Sequence, residues 1–259
     1  MEMKSKNVFY GWYVAICCSL IYFFVNSMTL FVPQNLFPTF IEEFSLNREQ
    51  ASLTVRNTLL FAALLSPFSG ILIDKYGVTV VMRIGIIVMA LTYSFYPFAS
   101  SIETLYRLHI LMAAGLVMTG LGPNVIIVSN WFNKHRGKVV GMVVASSSLG
   151  GATLPLLISP IVSNPDWGWR WGFGLLTALF WIFAVIPVYK IIRPSPEKMG
   201  LSPDGIEEIS QDKIKTKPIE DKDMTTIKDA IFSRALWCLG IGSASVSYTH
   251  LTLPTNREV

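Results

Sequence analysis

The chain has 259 residues, 52% of them hydrophobic and only 15% charged, with a formal charge of +4. Ordinary soluble domains carry about 25% charged residues, so this balance, with a mean hydropathy of +0.49, points to a membrane protein and away from a soluble enzyme. The basic excess does not indicate nucleic acid, because it sorts by side of a membrane once the spans are laid out.

A helix crossing a hydrocarbon core of about 30 Å at 1.5 Å per residue needs roughly 20 apolar residues. That length recurs over residues 12–32, 52–73, 81–99, 105–129, 139–162 and 171–189, and a seventh run begins near Phe232. The first run is too long for a signal-peptide core and has no small-x-small cleavage site after it, so it reads as an uncleaved helix. Cys17 and Cys18 are adjacent within that helix and Cys238 is far away, which suggests neither a disulfide framework nor a metal site. Ser19, Tyr22 and Asn26 recur at i, i+3 and i+7 and share one of its faces.

Arg56 falls in the first turns of the second run. A charge at bilayer depth costs about 2.5–3.5 kcal/mol on insertion scales, so it is expected either to face an aqueous cavity or to reach the interface. Pro67 interrupts the same run. Between the second and third runs stands Gly70-Ile-Leu-Ile-Asp74-Lys75-Tyr-Gly77. Gly70 would permit a close helix approach, Gly77 a tight turn, and the Asp74 carboxylate a contact with the amino end of a neighbouring helix.

In the fourth run His109 lies near the entrance, where it would bind substrate or exchange a proton, or form interhelical bonds, and Asn124 lies deep in the apolar stretch. Arg107 is expected at the outer interface. The connection to the fifth run reads Trp131-Phe-Asn-Lys134-His-Arg136-Gly137-Lys138. Trp131 and Phe132 suit the headgroup region, and the basic cluster suits anionic lipid. The fifth run carries Pro155 and Pro160, together with small residues at Gly141, Ala145, Ser148 and Ala152 that would admit a neighbouring helix. If the amino terminus is cytoplasmic, Lys4, Lys6, Lys75, Arg83, Lys134, Arg136, Lys138, Lys190, Arg193 and Lys198 lie inside. Arg48, Arg107 and Arg170 then lie outside. The outer loop after the first run carries Glu42, Glu43 and Glu49.

These motifs resemble a known family. Gly70, Leu72, Asp74, Lys75 and Gly77 resemble the loop between helices 2 and 3 of the major facilitator superfamily, although Val78 and Thr79 replace its following basic pair. The Trp131 to Lys138 segment, Phe9-Tyr10-Gly11-Trp12 and Trp169-Arg170-Trp171 resemble signatures of the monocarboxylate and oxalate/formate carriers. Gly141, Gly150 and Pro155 partly match an antiporter pattern in which Leu154 replaces a glycine. The resemblance implies an all-α membrane protein: the six-helix amino-terminal half of a twelve-helix fold, breaking off at the start of helix 7. It implies a bundle over 1–192, a cytoplasmic linker over 193–229 and the beginning of a seventh helix over 230–244. Residues 245–259 break the apolar pattern and resemble translated sequencing-adapter sequence, so they are set aside, with His250.

Its functional implication is a secondary carrier in the inner or plasma membrane, amino terminus cytoplasmic, moving a small solute by alternating access. A monocarboxylate or other organic anion is expected, by proton symport or anion exchange. Arg56, Tyr22, Asn26, His109 and Asn124 would bind substrate. Gly70, Asp74, Lys75, Gly77, Arg136, Gly141, Gly150 and Pro155 would serve gating, the Asp74 latch partner belonging to the absent carboxy-terminal half. No catalytic constellation, phosphate-binding loop or metal cluster is visible in the sequence, so neither an enzymatic role nor a cofactor is expected. The open alternatives are a non-transporting sensor on the same fold and an inactive fragment.

Overall fold

The computed structural model describes residues 9–205; the expected seventh span, the rest of the linker and the final segment lie outside them. Among the described residues six helices are long and apolar enough to cross a membrane: α1 Tyr10–Asn35, α2 Arg48–Tyr76, α3 Val78–Phe98, α4 Ile102–Trp131, α5 Arg136–Val162 and α6 Gly168–Lys190. Each expected span falls on one of them. Lipid offers no hydrogen bonds to exposed backbone, which is why every crossing is a helix.

Local chemistry sets the boundaries. Asn47 and Gln50 form a reciprocal capping box, the Gln50 amide donating to Asn47 Oδ1 (2.8 Å) and the Asn47 amide to Gln50 Oε1 (2.9 Å). α2 therefore begins one turn before its apolar run. Ser101 accepts from the Thr104 amide (3.3 Å) and starts α4. Gly77, at φ +83°, is the single residue between α2 and α3. Its left-handed backbone is open to glycine without a Cβ penalty, so the expected tight turn is present.

Four helices depart from regular winding: α3 ends in a 3-10 turn over Tyr96–Phe98, α6 passes through a π-helical turn over Trp181–Val185, and α1 and α4 depart further. α1 passes through a π-helical turn over Ser27–Phe31, where the Val25 carbonyl accepts from both Thr29 Oγ1 (2.6 Å) and the Tyr93 hydroxyl (3.0 Å). α4 is broken at Gly120, which is extended (φ −74°, ψ −151°) between Ile102–Thr119 and Leu121–Trp131. Pro123 has no N–H with which to continue the ladder. Asn124 compensates, its Nδ2 donating to the carbonyls of Thr119 (2.8 Å) and Gly120 (2.7 Å).

α1 packs along α5, α2 and α3 along α4, and α6 along α5. Glycines set the closest approaches. A Cβ on Gly115 would lie 2.4 Å from Met89 Sδ, and one on Gly150 2.6 Å from the Phe23 carbonyl oxygen. Between these crossings Tyr93, Tyr96, Trp169, Phe173 and Phe180 form a buried aromatic core, Tyr96 stacking on Phe173 at 4.2 Å. α2 and α5 stand apart: 11% and 28% of their most apolar stretches are buried, against 44% to 56% in the other four. Both are continuous α-helical runs that carry prolines well inside them, Pro67 in one and Pro155 and Pro160 in the other.

Candidate functional site

The polar face expected on α1 turns toward α5. Asn26 Nδ2 donates to Ser147 Oγ at 2.6 Å, Ser27 Oγ to the Ser147 carbonyl at 3.3 Å, and Ser146 Oγ to the Ser19 carbonyl at 2.8 Å. Tyr22 is half-buried beside Ser147. Ser19, Tyr22 and Asn26 thus line a seam whose other wall is the Ser146-Ser147 pair, which sequence reading missed. A groove of about 500 Å³ opens along this seam, walled by Ile16, Ser19, Phe23, Ala145, Ser146 and Leu149. The close approach at Gly150 holds the seam together.

His109 is wholly buried rather than open to a pathway. Its Nδ1 pairs with Thr58 Oγ1 (2.7 Å) and its Nε2 with the Tyr96 hydroxyl (3.1 Å), so both ring nitrogens are engaged between α2, α3 and α4. Asn124 is equally buried, and its Oδ1 has no hydrogen-bond partner among the described residues. It bridges the break in α4 from inside. In front of that break lies a groove of about 350 Å³ that includes Ser66, Ser69, Gly122 and Pro123.

Arg56 is exposed, and it makes no hydrogen bond or ion pair among the described residues. Leu60, Ala63, Pro67, Ile71 and Asp74 are exposed as well and follow it at helical spacing. Arg56 and Asp74 therefore mark the two ends of one stripe about 27 Å long at 1.5 Å per residue. Asp74 is exposed and has no partner among the described residues, and Lys75 Nζ sits 5.2 Å from the Tyr76 ring. Gly70 departs from expectation: among the described residues no atom lies within 4 Å of a Cβ built on it, because α2 turns this face away from the bundle. The same is true of Gly141, which is exposed together with Ala145, Ser148 and Ala152. Gly150 and Gly151 are the glycines of α5 that pack within this bundle, against Phe23 and Phe31 of α1. Pro155 is half-buried in the α5 interior, and Arg136 is exposed at the α5 amino end.

Trp131 and Phe132 also depart from expectation, since both are buried in protein rather than set in headgroups. Trp131 packs against Tyr10 (5.5 Å) and Phe9 (6.0 Å), Phe132 packs against Trp12 (5.1 Å), and Trp131 Nε1 donates to the Arg193 carbonyl (3.0 Å). The basic loop beyond them holds a carboxylate: the amides of Asn133, Lys134 and His135 converge on Asp204. Burial alone would raise the Asp204 carboxyl, but the amides of Lys134, Asn133 and His135 outweigh it. Together they hold the group below the usual carboxylate range.

At the opposite end of the bundle Glu43 binds both Trp169 Nε1 and the Arg170 guanidinium, which also donates to the Ala99 carbonyl (2.9 Å) and lies over the Trp169 ring. This clamp ties the short helix Phe37–Glu43 to α6, and sequence reading saw only an acidic loop there. Because the pair is partly exposed, Glu43→Ala is expected to cost only about 1 kcal/mol. Thermal unfolding in detergent measures it, and an unchanged midpoint would show that the clamp is not stabilising.

The chain was compared with known proteins. It is 29% identical over 152 residues to the "Putative glycerol-3-phosphate transporter 1" of Arabidopsis thaliana, covering 57% of this chain and 28% of that protein. With the "Probable hexose phosphate transport protein" of Chlamydia pneumoniae it shares 26% over 199 residues, covering 76% and 41%. The inward-open xylose transporter XylE from E. coli has the same fold, with a TM-score of 0.55 at 15% identity, over 71% of this chain and 48% of that one. The chain thus spans less than half the length of each. A family model described as "Major Facilitator Superfamily" matches residues 18–256. With that match over most of the chain, and six packed spans in an arrangement shared with a solved carrier, the chain belongs to the Major Facilitator Superfamily.

Proposed function

We propose that this chain is the amino-terminal six-helix half of a secondary carrier that moves a small organic anion, a monocarboxylate or a related solute, by alternating access. One observation carries the anionic reading: Arg56 is an exposed cation, without an ion pair or hydrogen bond among the described residues, on an apolar membrane helix. A guanidinium at that depth offers a carboxylate two parallel hydrogen bonds. Two relatives named for glycerol-3-phosphate and hexose phosphate, both anionic solutes, favour the same charge.

In this reading Arg56 receives the carboxylate, the α1–α5 seam at Tyr22, Asn26 and Ser147 supplies neutral hydrogen bonds, and His109 and Asn124 support the site from behind. Energy comes from a proton or an exchanged anion. The exposed faces of α2 and α5, with the small residues Gly141, Ala145, Ser148 and Ala152, receive a second six-helix half, and Asp74 with Lys75 closes against it. Lys75, Arg83, Lys134, Arg136, Lys138 and Lys190 lie toward the face that carries the amino terminus, which favours a cytoplasmic orientation of that face in the inner or plasma membrane.

The test is Arg56→Gln in the carrier completed by its second half, with uptake of labelled monocarboxylates and sugar phosphates into proteoliposomes. Loss of a charge-assisted hydrogen bond, about 1.5–3 kcal/mol, predicts uptake lower by roughly ten- to a hundredfold. Unchanged flux would overturn the site.

A further inference from the structure

The polypeptide does not leave the bundle where α6 ends. The Tyr10 hydroxyl donates to the Ile191 carbonyl (2.9 Å), Trp131 Nε1 to that of Arg193 (3.0 Å), and Asn130 Nδ2 to that of Pro194 (3.0 Å). The chain then turns through Gly200, Asp204 and Gly205, all at positive φ. This returns it beneath the loop between α4 and α5. There the amides of Asn133 (2.9 Å) and Lys134 (2.6 Å) donate to Asp204 Oδ2, and that of His135 (3.3 Å) to Oδ1. Phe9 closes the other side, so near that a Cβ on Gly205 would lie 2.8 Å from its ring.

A helix start leaves backbone N–H groups without intrahelical acceptors, and a neighbouring side chain commonly supplies one. His135, the residue before α5, makes no such bond. A carboxylate about 70 residues further on, Asp204, instead accepts from the three amides leading into that start, those of Asn133, Lys134 and His135, and is held in a left-handed backbone that Asp tolerates better than most residues but not freely. Strain of this kind persists where surrounding contacts over-determine it.

We propose that residues 194–205 are a strap and Asp204 its latch. The strap joins the α4–α5 loop, the start of α1 and the end of α6 into one mechanical unit. A displacement arriving along the chain beyond Gly205 is delivered to the α4–α5 loop and the amino end of α5, not to the end of α6. Release of the Asp204 carboxylate from the amides uncouples them. The inference is independent of which solute is carried.

Hydrogen–deuterium exchange on the 259-residue chain in lipid nanodiscs tests it. In Asp204→Ala the amides of Asn133 to His135 and those of residues 196–205 should both exchange at least tenfold faster, and trypsin should cut after Lys198 sooner. Glu197→Ala, at an exposed residue of the strap without a bond to the loop, should behave as wild type. Wild-type exchange in Asp204→Ala overturns the latch. So does acceleration confined to residues 133–135, which would make Asp204 a local cap and nothing more. Should the alanine variant fail to fold, Asp204→Asn keeps one acceptor oxygen; faster exchange in both segments supports the latch, and wild-type exchange overturns it.

Discussion

Gly150→Ala should destabilise the bundle by about 1–3 kcal/mol, and Gly150→Val should not accumulate as folded protein. A Cβ at this position would sit 2.3 Å from Ser27 Oγ, which can swing aside, and 2.6 Å from the Phe23 carbonyl oxygen, which cannot. Relief requires α1 and α5 to separate, and the separation also pulls Asn26 and Ser27 from Ser147. In a membrane, lipid is as apolar as the helix surface, so close van der Waals packing and interhelical hydrogen bonds carry the association that is lost. Gly141→Ala is the control nine residues earlier on the same helix. Nothing among the described residues lies within 4 Å of its Cβ, so it should be neutral or slightly stabilising through helix propensity. Thermal unfolding of both in detergent decides the matter, and equal midpoints for the two alanines would show that the α1–α5 contact is not as close as described.

Trp131→Ala should cost about 3–5 kcal/mol, the range for a large buried aromatic. The indole is fully buried, packs on Phe9 and Tyr10, and donates to the Arg193 carbonyl, so truncation leaves both a cavity and an unpartnered acceptor. Trp131→Phe keeps a ring but loses the hydrogen bond, and should cost about 1–3 kcal/mol. A headgroup anchor would behave differently. Its loss would show in bilayers of changing composition and vanish in detergent, whereas the packing described here predicts the same deficit in nanodiscs and in micelles.

The spans were legible because bilayer thickness fixes their length, and the first turns of α2 and α4 were missed because Asn47 and Ser101 extend each helix beyond its apolar run. The break in α4 was less visible. Gly120 and Pro123 are ordinary residues for a membrane helix, and only the Asn124 side chain, folding back onto two carbonyls, shows what they do together. At the candidate site, helical spacing placed Ser19, Tyr22 and Asn26 on one face, but their partner Ser147 lies more than a hundred residues away and no local pattern selects it. Small residues illustrate the same limit: Gly70 and Gly141 read as packing positions yet meet no neighbour among the described residues, whereas Gly150, which reads only as part of an antiporter-like pattern, does. Trp131 was misplaced because an amphipathic indole at a helix end suits a headgroup layer and a protein core equally. What decides is whether Phe9 and Arg193 arrive, and both come from distant segments.

The anchored stretch after α6 bears on how the protein is handled at the bench. A division of the chain, a protease site or a fluorescent tag placed at Lys190, where α6 ends, would cut through segments stitched to Tyr10, Trp131 and Asn133. Placed after Gly205, the same insertion leaves those bonds intact, so the practical border of the six-helix unit is a turn of irregular chain and not a helix terminus.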